Sequence, residues 1–120
     1  MNAETDYNKA LEDILRKDPR YARPAYEFVH EALNYTVRRL DRPRHVTGRE
    51  LLDGIRNFAT EQFSALAPMV FRFWGVRRSE DFGEIVFNLV EAGIMGRTET
   101  DTREDFRDGY DFGEAFKTRR

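Results

Sequence analysis

The chain contains no cysteine. Disulfides, thiolate nucleophiles and zinc–thiolate sites are therefore excluded. Histidine is nearly absent: only His30 and His45 occur, and neither has a second ligand at a metal-binding spacing such as H-x-x-x-H. There is no G-x-S-x-G elbow, no P-loop and no G-x-G-x-x-G fingerprint, so the common nucleophile and phosphate-cradling motifs are missing. No apolar stretch approaches the ~18 residues of a membrane span. The opening MNAETDYNKALEDIL has no basic region followed by an apolar run, so it does not read as a secretory signal, and the cytosol is the expected location. Lysine is also rare, with three against seventeen arginines. Arginine favours planar pairing with carboxylates and stacking on aromatic faces, although an arginine-rich genome composition accounts for the bias equally well.

What is present is a chain of one-domain length, 120 residues, long enough to bury roughly two-thirds of its unfolded surface. A mean hydropathy of -0.73 taken alone suits a disordered segment, but sixteen aromatics and a clear apolar periodicity do not. The net charge of -2 hides a division. Residues 19 to 78 carry eleven Arg and six acids, whereas residues 79 to 120 carry eleven acids and six bases. The acidic part also holds Phe82, Phe87, Phe106, Tyr110, Phe112 and Phe116. Acidic tails that stay disordered are poor in such rings, so this part is expected to pack against something.

The apolar spacing predicts a mainly α chain with four principal helices. Tyr7, Leu11, Ile14 and Leu15 mark one face of a first helix over 5–17, which Asp18-Pro19 ends. Pro24 suits the first turn of a second, running to about Leu40 with two adjoining apolar stripes. Thr47-Gly-Arg-Glu50 has the form of a capping box and opens a third carrying Leu51, Leu52, Ile55, Phe58 and Phe63. Pro68 is expected to kink that helix or start a new turn, and Gly75 to stop the apolar block Met69–Trp74. Ser79 is the expected cap of a fourth helix, with Phe82, Ile85, Val86 and Leu89 inward and Gly93 or Gly96 as its end. Residues 97–105 read as a loop. Phe106 to Phe116 is compatible with a short helix, a hairpin or an extended arm. The expected core is Leu11, Ile14, Phe28, Val29, Leu33, Leu51, Ile55, Phe58, Phe71, Trp74, Ile85, Val86 and Leu89.

Several motifs invite sharper readings. DFGE occurs at 81–84 and at 111–114, but four residues are too few for a structural repeat, and a kinase DFG needs a glycine-rich loop and a catalytic loop that this chain lacks. Asp101, Glu104, Asp105, Asp108 and Asp111 depart from the EF-hand pattern, with Phe106 where glycine should stand; a solvated or Arg-paired acidic surface is the simpler account. A winged-helix variant is available, the fourth helix serving as recognition helix and GIMGRTET beginning a wing. That helix carries Glu80, Asp81, Glu84 and Glu91 and no basic residue, which opposes insertion beside phosphates.

The blocks DPRYARPAYEFVHEAL at 18–33, HVTGRELLDGIRNFATEQF at 45–63, FWGVRRSEDFGEIVFNLVEAGIM at 73–95 and EDFRDGYDFGEAF at 104–116 resemble the family of verrucomicrobial and planctomycete-restricted conserved hypothetical proteins, over nearly the whole chain. The resemblance implies a bacterial origin and a compact single domain. It carries no activity, so it transfers no catalytic or binding residue.

The sequence thus leads to one small helical bundle over 1–120, with 97–120 an acidic, aromatic arm packed on it. The leading function is a non-enzymatic module for protein interaction or self-association, with no cofactor, metal or catalytic residue. Its candidate surface is Arg38, Arg39, Arg42, Arg44, Arg49, Arg77 and Arg78 meeting Asp105, Asp108 and Asp111. Nucleic-acid binding through the 38–49 arginines is the alternative, testable by its salt dependence. An enzyme using His30 or His45 with a distant carboxylate comes third.

Overall fold

The structure is a computed structural model that describes residues 3–96 and 103–117. It is mainly helical, and no strand occurs among the described residues. Helix α1 spans Ala3–Lys17, α2 Arg23–Arg38, α3 Gly48–Phe63, α4 Ala67–Phe73, α5 Ser79–Glu91 and α6 Phe112–Ala115. The hairpin option for the end of the chain is therefore set aside. Phe106 closes a 3-10 turn over Arg103–Phe106, and α6 is a single turn. The wing residues 97–100, with the rest of 97–102 and the last three residues of the arm, lie outside the described residues.

Three sequence signals act as read. Thr47 and Glu50 form the capping box, with Glu50 N–H donating to Thr47 Oγ1 at 3.1 Å and Thr47 N–H to Glu50 Oε1 at 3.0 Å. Gly75 and Gly93 take positive φ, 92° and 77°, and each closes a Schellman motif in which the following residue's N–H reaches back: Val76 to the Phe71 carbonyl, Ile94 to that of Leu89. Gly75 also lies against the Arg20 carbonyl, where a Cβ would collide.

Two signals act differently. The break after α3 comes before Pro68, at Ser64, whose φ of 52° and ψ of -134° are strained for a residue with a side chain. A 3-10 turn over Ser64–Leu66 then turns the chain into α4, where Pro68 sits harmlessly in the first turn. Ser79 does not cap α5. It is the first helical residue, and Asp81 does the capping, accepting from the backbone N–H groups of Arg77 and Arg78 at 2.8 and 3.2 Å. Ser79 Oγ is turned inward and engages residues 106 and 109.

Helix α2 is central and packs against α1, α3 and α5. The expected core is buried except for Leu33, Phe58 and Trp74, which are half-buried and pack against it. Tyr21, Tyr26, Val76, Met95 and three rings of the arm, Phe106, Phe112 and Phe116, join it. Phe71 is the hub: its ring lies 5.1–5.7 Å from those of Phe28, Phe82, Phe112 and Phe116, mostly edge-on. A polar network ties the α1–α2 connector to α5. Tyr21 Oη donates to Asp81 at 2.6 Å, Arg20 bridges Asp18 and Glu84, and Asn88 donates to Asp18 and Tyr26 Oη. The Arg20 guanidinium, helped by Asn88, holds the Asp18 carboxyl well below its usual range.

Candidate interaction surface

The arginines of the second loop find their partners close by. Arg44 forms a fork with Glu50 at 2.9 and 2.7 Å. With the Thr47 N–H, it brings the Glu50 carboxyl down to about 2. Arg39 reaches Glu61 at 3.4 Å and lies 3.6 Å above the Tyr35 ring. Both acids belong to α3, so among the described residues Arg39 and Arg44 pair with the body rather than with the acidic arm that the charge division suggested. The capping box fixes Glu50 beside the loop, and local geometry wins over the more distant carboxylates. Arg49 does reach the arm, but through the Arg107 carbonyl at 3.3 Å. Arg38 and Arg42 are exposed, with no ion pair among the described residues.

Arg77 and Arg78 share a shallow cleft of about 380 Å³ with Glu80, Asp108, Tyr110 and Asp111, yet no ion pair crosses it among the described residues. Asp108 sits at φ 49° with its N–H on Glu80 at 3.2 Å. Asp111 caps α6, accepting from Glu114 N–H at 3.0 Å. Asp105 lies against Gly48 at the start of α3. The two DFGE tetrads are not equivalent: Asp81 is the third residue of its helix and Asp111 precedes its own, although Phe82 and Phe112 meet at 5.8 Å.

Among the described residues, apolar packing and side-chain-to-backbone hydrogen bonds join the arm to the body. Ser79 Oγ donates to the Phe106 carbonyl at 2.6 Å and accepts from Gly109 N–H at 3.0 Å. Tyr110 Oη donates to the Leu52 carbonyl at 2.8 Å, and burial pushes this phenol well above its usual range.

Chemistry-bearing groups stay dispersed. His30 lies 5.8 Å from the Tyr7 ring. His45 lines a cleft of about 180 Å³ with Leu33, Val37, Val46, Leu51 and Met95, and no carboxylate is in its lining among the described residues. Among the described residues no cluster of His, Asp and Glu is placed to hold a metal, and no helix is long and apolar enough to cross a membrane. Where pKa values shift, tyrosines rise and carboxylates fall. Those directions fit structural pairing rather than proton transfer near neutrality.

The surface feature that stands out is the outer face of α4. This two-turn helix is apolar on both sides. Ala67 and Phe71 point into the core. Leu66, Met69 and Phe73, at the i, i+3, i+7 spacing of one face, are 60%, 65% and 88% exposed. The sequence marks Met69–Trp74 as an apolar block, with only Phe71 and Trp74 expected in the core and no place assigned to Met69 or Phe73. The missed signal was excess: a helix this short cannot bury apolar residues on every side when it lies at the surface. With Phe71 and Ala67 inward, positions 66, 69 and 73 must face out. No family model, curated protein or solved structure matches the chain.

Proposed function

We propose that this chain is a non-enzymatic interaction module, acting in the cytosol, which docks a partner protein on the outer face of α4. The family resemblance is kept as part of this proposal and adds no activity to it. The observation that supports it is Phe73. A largely exposed phenylalanine next to Met69 and Leu66 has the character of an aromatic anchor, the kind of residue that dominates interface energy when a partner's pocket receives it. The three side chains expose roughly 400 Å², within the range of functional patches on monomers.

A partner of different sequence is favoured over a second copy. Two such faces pressed together would cover only about 800 Å², less than the ~1,200 Å² at which stable interfaces begin. The nucleic-acid reading is weaker, because Arg39 and Arg44 are already engaged by Glu61 and Glu50.

The test compares wild type with Met69→Ala/Phe73→Ala, both checked for folding by circular dichroism. A partner retained from native-cell extract by the wild type and lost by the double variant is the expected result. Equal retention by both proteins overturns the reading. Light scattering decides the second copy: a dimer at micromolar concentration that the double variant dissolves would replace the partner with another molecule of this chain.

A further inference from the structure

Resting on that reading, we infer that the partner segment is acidic: an amphipathic peptide stretch whose apolar side chains cover Leu66, Met69 and Phe73 and whose carboxylates face Arg72 and the groove beside it. Residues 62–78 contain three arginines and no acid. Arg72, one turn from Met69, is exposed and has no ion pair among the described residues. At the start of the helix, the residue before Leu66 lines a groove of about 430 Å³ between the second half of α3 and residues 115–117. Arg56, Asn57, Thr60, Ser64 and Lys117 line it, and no carboxylate does among the described residues. Lys117 has an exposed tie to Glu114 at 3.0 Å, and Arg56 lies 5.9 Å from the Tyr110 ring. Neither of these exposed contacts leaves the groove negative.

Ridge and groove are continuous. The apolar stripe runs about 10 Å along α4, from 66 to 73, and the 3-10 turn at its start is the rim of the groove. A segment lying along both meets first a hydrophobic edge, then amide, hydroxyl and cationic groups. Carboxylates suit that order. Basic residues would meet Arg72 and Arg56 with like charge.

The experiment uses fluorescence anisotropy with two labelled amphipathic peptides of identical apolar residues, one carrying Glu and the other Lys on its polar face. The Glu peptide is expected to bind at least tenfold more tightly, to weaken about tenfold between low and high salt, and to weaken likewise with Arg72→Glu, a change at an exposed position. Equal binding of both peptides, still lost in Phe73→Ala, overturns the acidic partner and leaves α4 docking intact. Binding of neither peptide also overturns it, while the partner capture described above independently judges the docking face. Sedimentation with anionic phospholipid vesicles, lost in Phe73→Ala, would assign the surface to a lipid interface and end the inference.

Discussion

Gly54 of α3 lies directly against Thr36 of α2, with no room for a side chain between them. A Cβ on Gly54 would overlap the Thr36 hydroxyl and stand 3.1 Å from Thr36 Cβ. That hydroxyl is itself committed to the Ala32 carbonyl at 2.7 Å. In an open helix Gly→Ala stabilises by up to about 1 kcal/mol. Here the sign reverses: Gly54→Ala is expected to cost about 1–3 kcal/mol by overpacking. Urea unfolding of Gly54→Ala, Thr36→Ala and the pair checks it, and the pair should lose less than the two singles added together.

Phe71 and Phe73 are neighbours but one in sequence and differ completely in environment. Phe71→Ala removes the ring on which five others converge and is expected to cost about 3–5 kcal/mol. Phe73→Ala should change stability by no more than ~0.5 kcal/mol. Equal losses in chemical denaturation would mean that α4 does not present the face described.

Ser79→Ala separates the arm's polar tether from its packing. The Phe106 carbonyl and the Gly109 N–H lose their buried partner, at about 1–3 kcal/mol. Amide exchange at Gly109 should quicken more than exchange in α2. Unchanged protection at Gly109 would show that ring packing alone secures this segment.

Acid dependence follows from Glu50. Its carboxyl ordinarily titrates near 4.5 and is held at about 2 in the fold by Arg44 and the Thr47 N–H. A depressed folded value means stability that is present above 4.5 and lost as the pH falls toward 2. Glu50→Gln removes that contribution. Melting temperatures of wild type and variant should differ above pH 4.5 and converge as the pH approaches 2. A constant gap would contradict the assignment.

The helix ends were legible wherever a local device sets them: the Thr47–Glu50 box, Pro24, Gly75 and Gly93 all act as their residue types demand. The Ser64 break was not, because its backbone angles are imposed by how α3 and α4 pack, while Pro68 gave a louder local signal four residues on. The placement of Ser79 failed for a related reason. Capping propensity describes an isolated helix, and the Phe106 carbonyl claims the hydroxyl instead. The arginines could be counted from sequence, but their partners could not, since pairing depends on which carboxylates folding brings within reach. The α4 face was not legible because an unbroken apolar block does not say which of its residues point inward. It became visible only once Phe71 was seen to take the inward position.

The central ring cluster joins residues far apart in the chain. Phe28 and Phe71 come early, whereas Phe112 and Phe116 arrive some forty residues after Phe71. During synthesis, α2 through α5 must therefore emerge and wait with a bare aromatic surface until position 116 has left the ribosome. Folding of this chain is thus completed late, and the interval before the last rings arrive is when a nascent molecule is most exposed to aggregation or to a chaperone.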